Sequence, residues 1–201
     1  MSARRADPWR PTRAQLDAAH GRTIRDVVAP RLDVVFCGIN PGLWSAAVGH
    51  HFARPGNRFW RALHRAGFTD RELSPFEEGE LLARGLGVTN LVRRGTATAD
   101  ELDPAEIRAG TRRLRRLADR WRPRWIALLG LGAYRTAFDR PDAQTGVQPE
   151  RLGATRLWLL PNPSGLNASF PLDRIVAELR VLRRAARRSE EFSQSRRNRR
   201  T

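Results

Sequence analysis

Residues 33–52, DVVFCGINPGLWSAAVGHHF, constrain this chain more than any other stretch. The opening run, Val34-Val35-Phe36-Cys37, is continuously apolar where a strand with one wet face would alternate. It therefore predicts a strand buried on both faces. Gly38 and the pair Pro41-Gly42 end that strand and force a turn. In open α/β sheets, loops at the carboxyl ends of strands are where ligands bind. This loop carries an amide, Asn40, two imidazoles, His50 and His51, and two aromatics, Trp44 and Phe52. The same residues also suit a plain turn leading into a helix, because Asn-Pro is ordinary turn chemistry. Read locally, the two interpretations stand side by side.

Downstream, short apolar runs alternate with helical patterns. Phe59, Trp60, Leu63 and Ala66 fall at helical spacing, and Gly67 stops the pattern. Ser74-Pro75-Phe76-Glu77 and Asp103-Pro104-Ala105-Glu106 each carry a cap residue, a proline at the first helical position and a glutamate three residues after the cap. The second opens a helix reaching about Arg120, with Ile107, Leu114, Leu117 and Trp121 as its apolar stripe. A brief strand or turn at residues 88–92 presents Asn90, and residues 125–130 form a further buried strand leading to a short helix through Phe138. Leu157-Trp158-Leu159-Leu160 is the last clear strand and runs into a second Asn-Pro loop at residues 162–168. Residues 23–29 predict one short helix, 141–153 a loop, and 172–187 a final helix burying Ile175, Val176, Leu179 and Leu182. Such alternation argues for a parallel sheet with helices on both faces, with both Asn-Pro loops on one edge.

The charge balance points to a polyanionic partner. The chain has 37 basic against 21 acidic residues, a net charge of +16 and a pI near 11.7. Nucleic acid fits this better than a membrane surface. Arginines crowd both ends, so residues 1–22 are read as a flexible basic arm and 189–201 as a basic tail, leaving 23–188 as the domain. No apolar stretch reaches membrane-spanning length and no secretory signal opens the chain, so a cytoplasmic, nucleoid-associated protein is expected.

Several chemistries lose their signatures. One cysteine, Cys37, cannot build a disulfide framework, and its strand setting makes it a poor nucleophile. Gly-x-Gly-x-x-Gly, Walker, His-Glu-x-x-His and Gly-x-Ser-x-Gly patterns are all missing, so neither a metal nor a cofactor is expected. Every basic residue is arginine, which leaves no side-chain amine for Schiff-base chemistry. A polar, aromatic-lined, acid-poor pocket on a basic protein suits recognition of a nucleobase.

Two motifs carry a resemblance. Gly38-Ile39-Asn40-Pro41-Gly42-Leu43, followed by Gly49-His50-His51-Phe52 and Pro55-Gly56-Asn57-Arg58-Phe59-Trp60, resembles the first motif of the mismatch-specific uracil/thymine-DNA glycosylases. Asn162-Pro163-Ser164-Gly165-Leu166-Asn167 resembles their second, and Gly87-Val88-Thr89-Asn90-Leu91-Val92 between them is also similar to the family. The likeness runs in order over nearly all of the chain except its tails. It implies a three-layer α/β/α fold around a four-stranded, mainly parallel sheet. The implied activity is hydrolysis of the N-glycosidic bond of uracil mispaired with guanine in duplex DNA by a monomeric enzyme. Ethenocytosine, and sometimes thymine opposite guanine, are related substrates.

The resemblance also implies roles. Asn40 takes the place of the catalytic asparagine that orients the attacking water. Phe52 matches the aromatic that stacks on the flipped base, with Gly38 and Ile39 in the same pocket wall. His51 and Asn90 match positions that hydrogen-bond the base edge, and Ser45 lies where the family varies and influences whether a thymine methyl fits. The loop holding Asn162, Ser164, Gly165, Leu166 and Asn167 would contact DNA, with Leu166 as the wedge. Ala168 departs from relatives that carry arginine there. The alternatives at this stage are a glycosylase for another damaged base, such as hypoxanthine, and a noncatalytic nucleic-acid-binding protein on the same fold.

Overall fold

The computed structural model describes residues 10–165 and 170–198, with backbone only beyond residue 187. A five-stranded sheet with order β2-β1-β3-β5-β4 forms the centre. Its strands are β1 (Val34–Gly38), β2 (Leu86–Asn90), β3 (Trp125–Leu129), β4 (Gly146–Leu152) and β5 (Thr155–Leu160). β2, β1, β3 and β5 run parallel, and β4 pairs antiparallel with β5 at one edge.

The apolar runs of β1 and β3 are buried at every position, as a strand covered on both faces requires. Their alternate side chains feed two separate cores, because successive residues of a strand point to opposite faces. Val34, Phe36, Trp125, Ala127, Trp158 and Leu160 face one layer of helices. That layer consists of α3 (Phe59–Arg65), α6 (Leu172–Asn198) and the 3₁₀ helix Pro75–Arg84. Val35, Cys37, Ile126, Leu128, Leu157 and Leu159 face α4 (Pro104–Trp121) and α5 (Leu131–Phe138). The expected three-layer α/β/α fold is therefore present, with one strand more than the four expected.

Local chemistry accounts for most boundaries. Ser74 and Asp103 both form capping boxes, with Glu77 and Glu106 reaching back to the cap backbone. The first opens a 3₁₀ rather than an α helix. Four expectations are corrected. Residues 141–153 are not a loop: they include β4, whose alternating half-exposed pattern and Pro149 belong to an edge strand. Residues 23–29 are not a helix but an extended strap, with Thr23 bridging to Arg94 and Val27 to Val88. Part of the stretch read as an arm over 1–22 is ordered: a helix at Arg13–Asp17 (α1) is capped by Thr12, Ala19 is buried, and the Gly21 N–H donates to the Gly95 carbonyl at 2.8 Å. At the other end α6 continues to Asn198, into the stretch read as a tail. Among the described residues no helix is long and apolar enough to cross a membrane.

Candidate active site

The parallel register brings the site together. β1 and β2 align with Gly38 opposite Asn90, so both strands end at the same level. The chain then continues the pairing beyond the sheet: the Leu91 and Val92 N–H groups donate to the Gly38 and Ile39 carbonyls at 2.8 and 2.9 Å. Further on, the Thr96 N–H donates to the Pro41 carbonyl and Leu43 N–H to the Thr96 carbonyl, both at 3.1 Å. Two loops from different strands thus run side by side. Above them α2 (Leu43–Val48) begins at Gly42 and ends at Gly49, whose φ of 79° lies in the left-handed region that glycine favours.

A cavity of about 350 Å³ opens at this edge. Asn40, expected as the catalytic residue, lines it with Gly38, Ile39, Ser45, Phe52 and Asn90 of the expected base pocket, and Asn162 and Ser164 come in from the second Asn-Pro loop. Leu166, Asn167 and Ala168 lie outside the described residues. Gly165 abuts the opposite loop, and a Cβ there would stand 2.7 Å from the Gly56 carbonyl oxygen. His51 is the exception. It is buried to 1% exposure and does not line the cavity.

Asn40 is held in one orientation. Its amide nitrogen donates to Thr96 Oγ1 at 2.6 Å, to the Arg94 carbonyl at 3.1 Å and to the Pro41 carbonyl at 3.2 Å. Two of these partners are carbonyls, which only accept, so the atom facing them must be the NH₂. The oxygen is then the end left for the cavity. Arg94 is itself fixed by Glu106, with Nε and one terminal nitrogen each 2.7 Å from a carboxylate oxygen. That guanidinium pulls the Glu106 carboxyl down to about 2.

Phe52 forms an aromatic wall. Its ring stacks on Phe59 at 4.1 Å between centroids and 28° between planes. Its φ of 53° is left-handed, a conformation that costs a bulky residue about 1–3 kcal/mol and persists only where neighbours enforce it. Gly38 leaves the floor open: a Cβ there would meet Asn90 Oδ1 at 2.5 Å and Phe52 Cε1 at 3.2 Å. Ser45 Oγ accepts from the Ala53 N–H at 3.0 Å, tying α2 to the segment after Phe52.

Asn90 and His51 make one unit. Asn90 Nδ2 lies 3.3 Å from His51 Nδ1, and His51 Nε2 lies 2.9 Å from the Arg25 carbonyl. Burial lowers the His51 pKa below the ordinary histidine value, opposed by the nearby Glu78 carboxylate. Glu78 accepts from the His51 backbone N–H at 2.8 Å and meets His50 Nδ1 at 3.0 Å. Behind Asn90, Arg113 donates to its backbone carbonyl at 2.6 Å and pairs with Asp26 on the strap.

Other members carried no local signal in the sequence. Thr96, Ile24, Arg54 and Asp100 all line the cavity, with Asp100 its one acidic residue among the described residues. Arg58 holds the second loop at three carbonyls: its Nε lies 3.3 Å from Pro163 O, and its terminal nitrogens lie 2.6 Å from Ser164 O and 2.5 Å from Phe170 O. Cys37 is buried and its thiol is pushed up to about 12, so it stays protonated and is no nucleophile.

Known proteins share this fold. A solution NMR structure from Methanosarcina acetivorans, provisionally assigned as a uracil DNA glycosylase, shares the fold with a TM-score of 0.53 at 19% identity. The match covers 81% of this chain and 98% of that one. A family model described as the uracil DNA glycosylase superfamily matches residues 25–182, which include most of the strap, both Asn-Pro loops and the whole sheet. The chain belongs to the uracil DNA glycosylase superfamily.

Proposed function

We propose that this protein is a monofunctional DNA glycosylase that removes uracil mispaired with guanine from duplex DNA. The observation that carries the reading is the Asn40 amide, whose nitrogen is tied to Thr96, Arg94 and Pro41. Its oxygen is thereby kept as a fixed acceptor for a water proton. An amide is too weak a base to abstract that proton outright, so its contribution is orientation. The C1′–N1 bond breaks with both electrons leaving on uracil, the sugar becomes oxocarbenium-like, and the oriented water adds to C1′. Its proton passes to solvent or to the departing base. The products are free uracil and an abasic site.

The rest of the cavity suits a base taken out of the helix. Phe52 offers a ring backed by Phe59 for stacking, and Asn90 offers its side-chain oxygen over the glycine floor. Flipping a base costs a few kcal/mol, least for a mispaired one. The second Asn-Pro loop, gripped by Arg58, is suited to filling the gap left behind, with Leu166 as the wedge. No lysine is available for a lyase step, so the backbone of the product is left intact.

The test is metal-free single-turnover excision on duplexes carrying uracil, thymine, ethenocytosine or hypoxanthine opposite guanine, with uracil opposite adenine as the control. Uracil released fastest from the guanine mispair, with strand breakage only after alkali, is the expected result. Tight binding without release of any base would overturn the enzymatic reading, and preference for another lesion would overturn the substrate.

A further inference from the structure

We infer that His51 is a positioning residue: held as the Nε2–H tautomer by the Arg25 carbonyl, it turns the Asn90 amide so that only an acceptor oxygen faces the cavity floor. The inference rests on the glycosylase reading of the same cavity and gives that cavity a polarity for the base it accepts. A carbonyl only accepts, so His51 Nε2, 2.9 Å from Arg25 O, must carry the proton. In a neutral ring Nδ1 is then a lone pair. Asn90 meets it at 3.3 Å and must present an N–H there, which sends Oδ1 the other way. That oxygen does lie over the floor, 2.5 Å from where a Gly38 Cβ would stand. Burial supports the neutral ring by lowering its pKa, with Glu78, the Arg25 carbonyl and Asp26 opposing and Arg113 assisting.

The strap therefore reads the base at one remove. An acceptor at this point pairs with uracil, whose N3 carries a hydrogen, and faces a lone pair at cytosine N3. Reversing the amide would reverse that preference. His51 itself never touches the base, being buried and outside the cavity lining.

Two measurements decide it. Uracil and cytosine are each placed opposite thymine, so both are mispaired, and single-turnover rates are compared for wild type, His51→Ala and His51→Asn. His51→Ala frees the amide and should reduce the uracil-over-cytosine ratio about tenfold or more, the scale of one buried hydrogen bond made or unmade. His51→Asn keeps an acceptor near the Nδ1 position and should restore the ratio to within about threefold of wild type. A slower His51→Ala with an unchanged ratio would mean a merely structural residue and overturn the inference. Nitrogen NMR of the wild-type imidazole gives the second reading, independent of activity and of any variant's folding. Nε2 protonated and Nδ1 bare is expected, and the opposite tautomer or a doubly protonated ring at neutral pH would overturn the inference. Failure to release uracil in the presence of the expected tautomer would instead sink the glycosylase reading, and base selection with it.

Discussion

Thr96 shows how much of the site depends on a residue that touches no reacting atom. Its hydroxyl donates to the Thr98 carbonyl at 2.7 Å and accepts from Asn40 Nδ2 at 2.6 Å, so it has one fixed polarity. Replacing it with valine keeps the shape and removes the acceptor. Thr96→Val should slow single-turnover excision about fivefold or more while duplex affinity stays within about threefold, since one buried hydrogen bond is worth of order 1 kcal/mol and its loss leaves the Asn40 amide on the two longer bonds to the Arg94 and Pro41 carbonyls. Equal losses in rate and affinity would show that Asn40 is not oriented through Thr96. Residues such as Asn40 and Phe52 were legible in the sequence because they lie inside one contiguous loop whose chemistry is local. Thr96 was not, because it lies 56 residues from Asn40 and meets it only after β1 and β2 fall into register. His51, expected at the base edge, is buried with Nε2 at the Arg25 carbonyl, and sequence shows neither that burial nor that partner.

The strap over residues 23–29 is the element on which the base side of the cavity leans. It adds to β2 by exchanging hydrogen bonds at 2.9 Å between Val27 and Val88. It also supplies the Arg25 carbonyl to His51 and the Asp26 carboxylate to Arg113. Asp26→Asn would leave Arg113 without its counter-charge behind Asn90. With these side chains 27% and 18% exposed, a loss of about 1–2 kcal/mol in urea unfolding is expected, below the value for a fully buried pair. No loss of stability would mean the pair is not what holds the strap to α4. Sequence pattern predicted a helix here because Ile24, Val27 and Val28 fit helical spacing as well as an edge extension, and pairing with β2 decided between them. β4 was missed for a related reason: an edge strand open to solvent lacks the apolar run that announced β1, β3 and β5. Both caps were legible, because a capping box is written in four adjacent residues.

At the scale of the molecule, the order of buried strands and helices sufficed to give the three layers and the edge carrying both Asn-Pro loops, because burial on two faces leaves a continuous apolar signature. Which side chains converge there depended on register and on the strap. The basic residues behind the net charge of +16 are all arginine, a side chain suited to phosphate, and affinity for DNA gained this way would be lost as salt competes. Affinity for an undamaged duplex should therefore fall at least about a hundredfold between 50 and 200 mM salt, measured by fluorescence anisotropy, and a flat salt profile would show that the arginines do not engage phosphate. In the proposed reaction the tethered amide of Asn40 orients the water that cleaves the glycosidic bond. Its most direct test is single-turnover release of uracil from a labelled G·U duplex by wild type and Asn40→Ala at saturating enzyme, with duplex affinity measured in parallel. Uracil release by the wild type is expected, with a rate at least about a hundredfold lower for the variant at nearly unchanged affinity. A variant that releases uracil as fast as the wild type would contradict it.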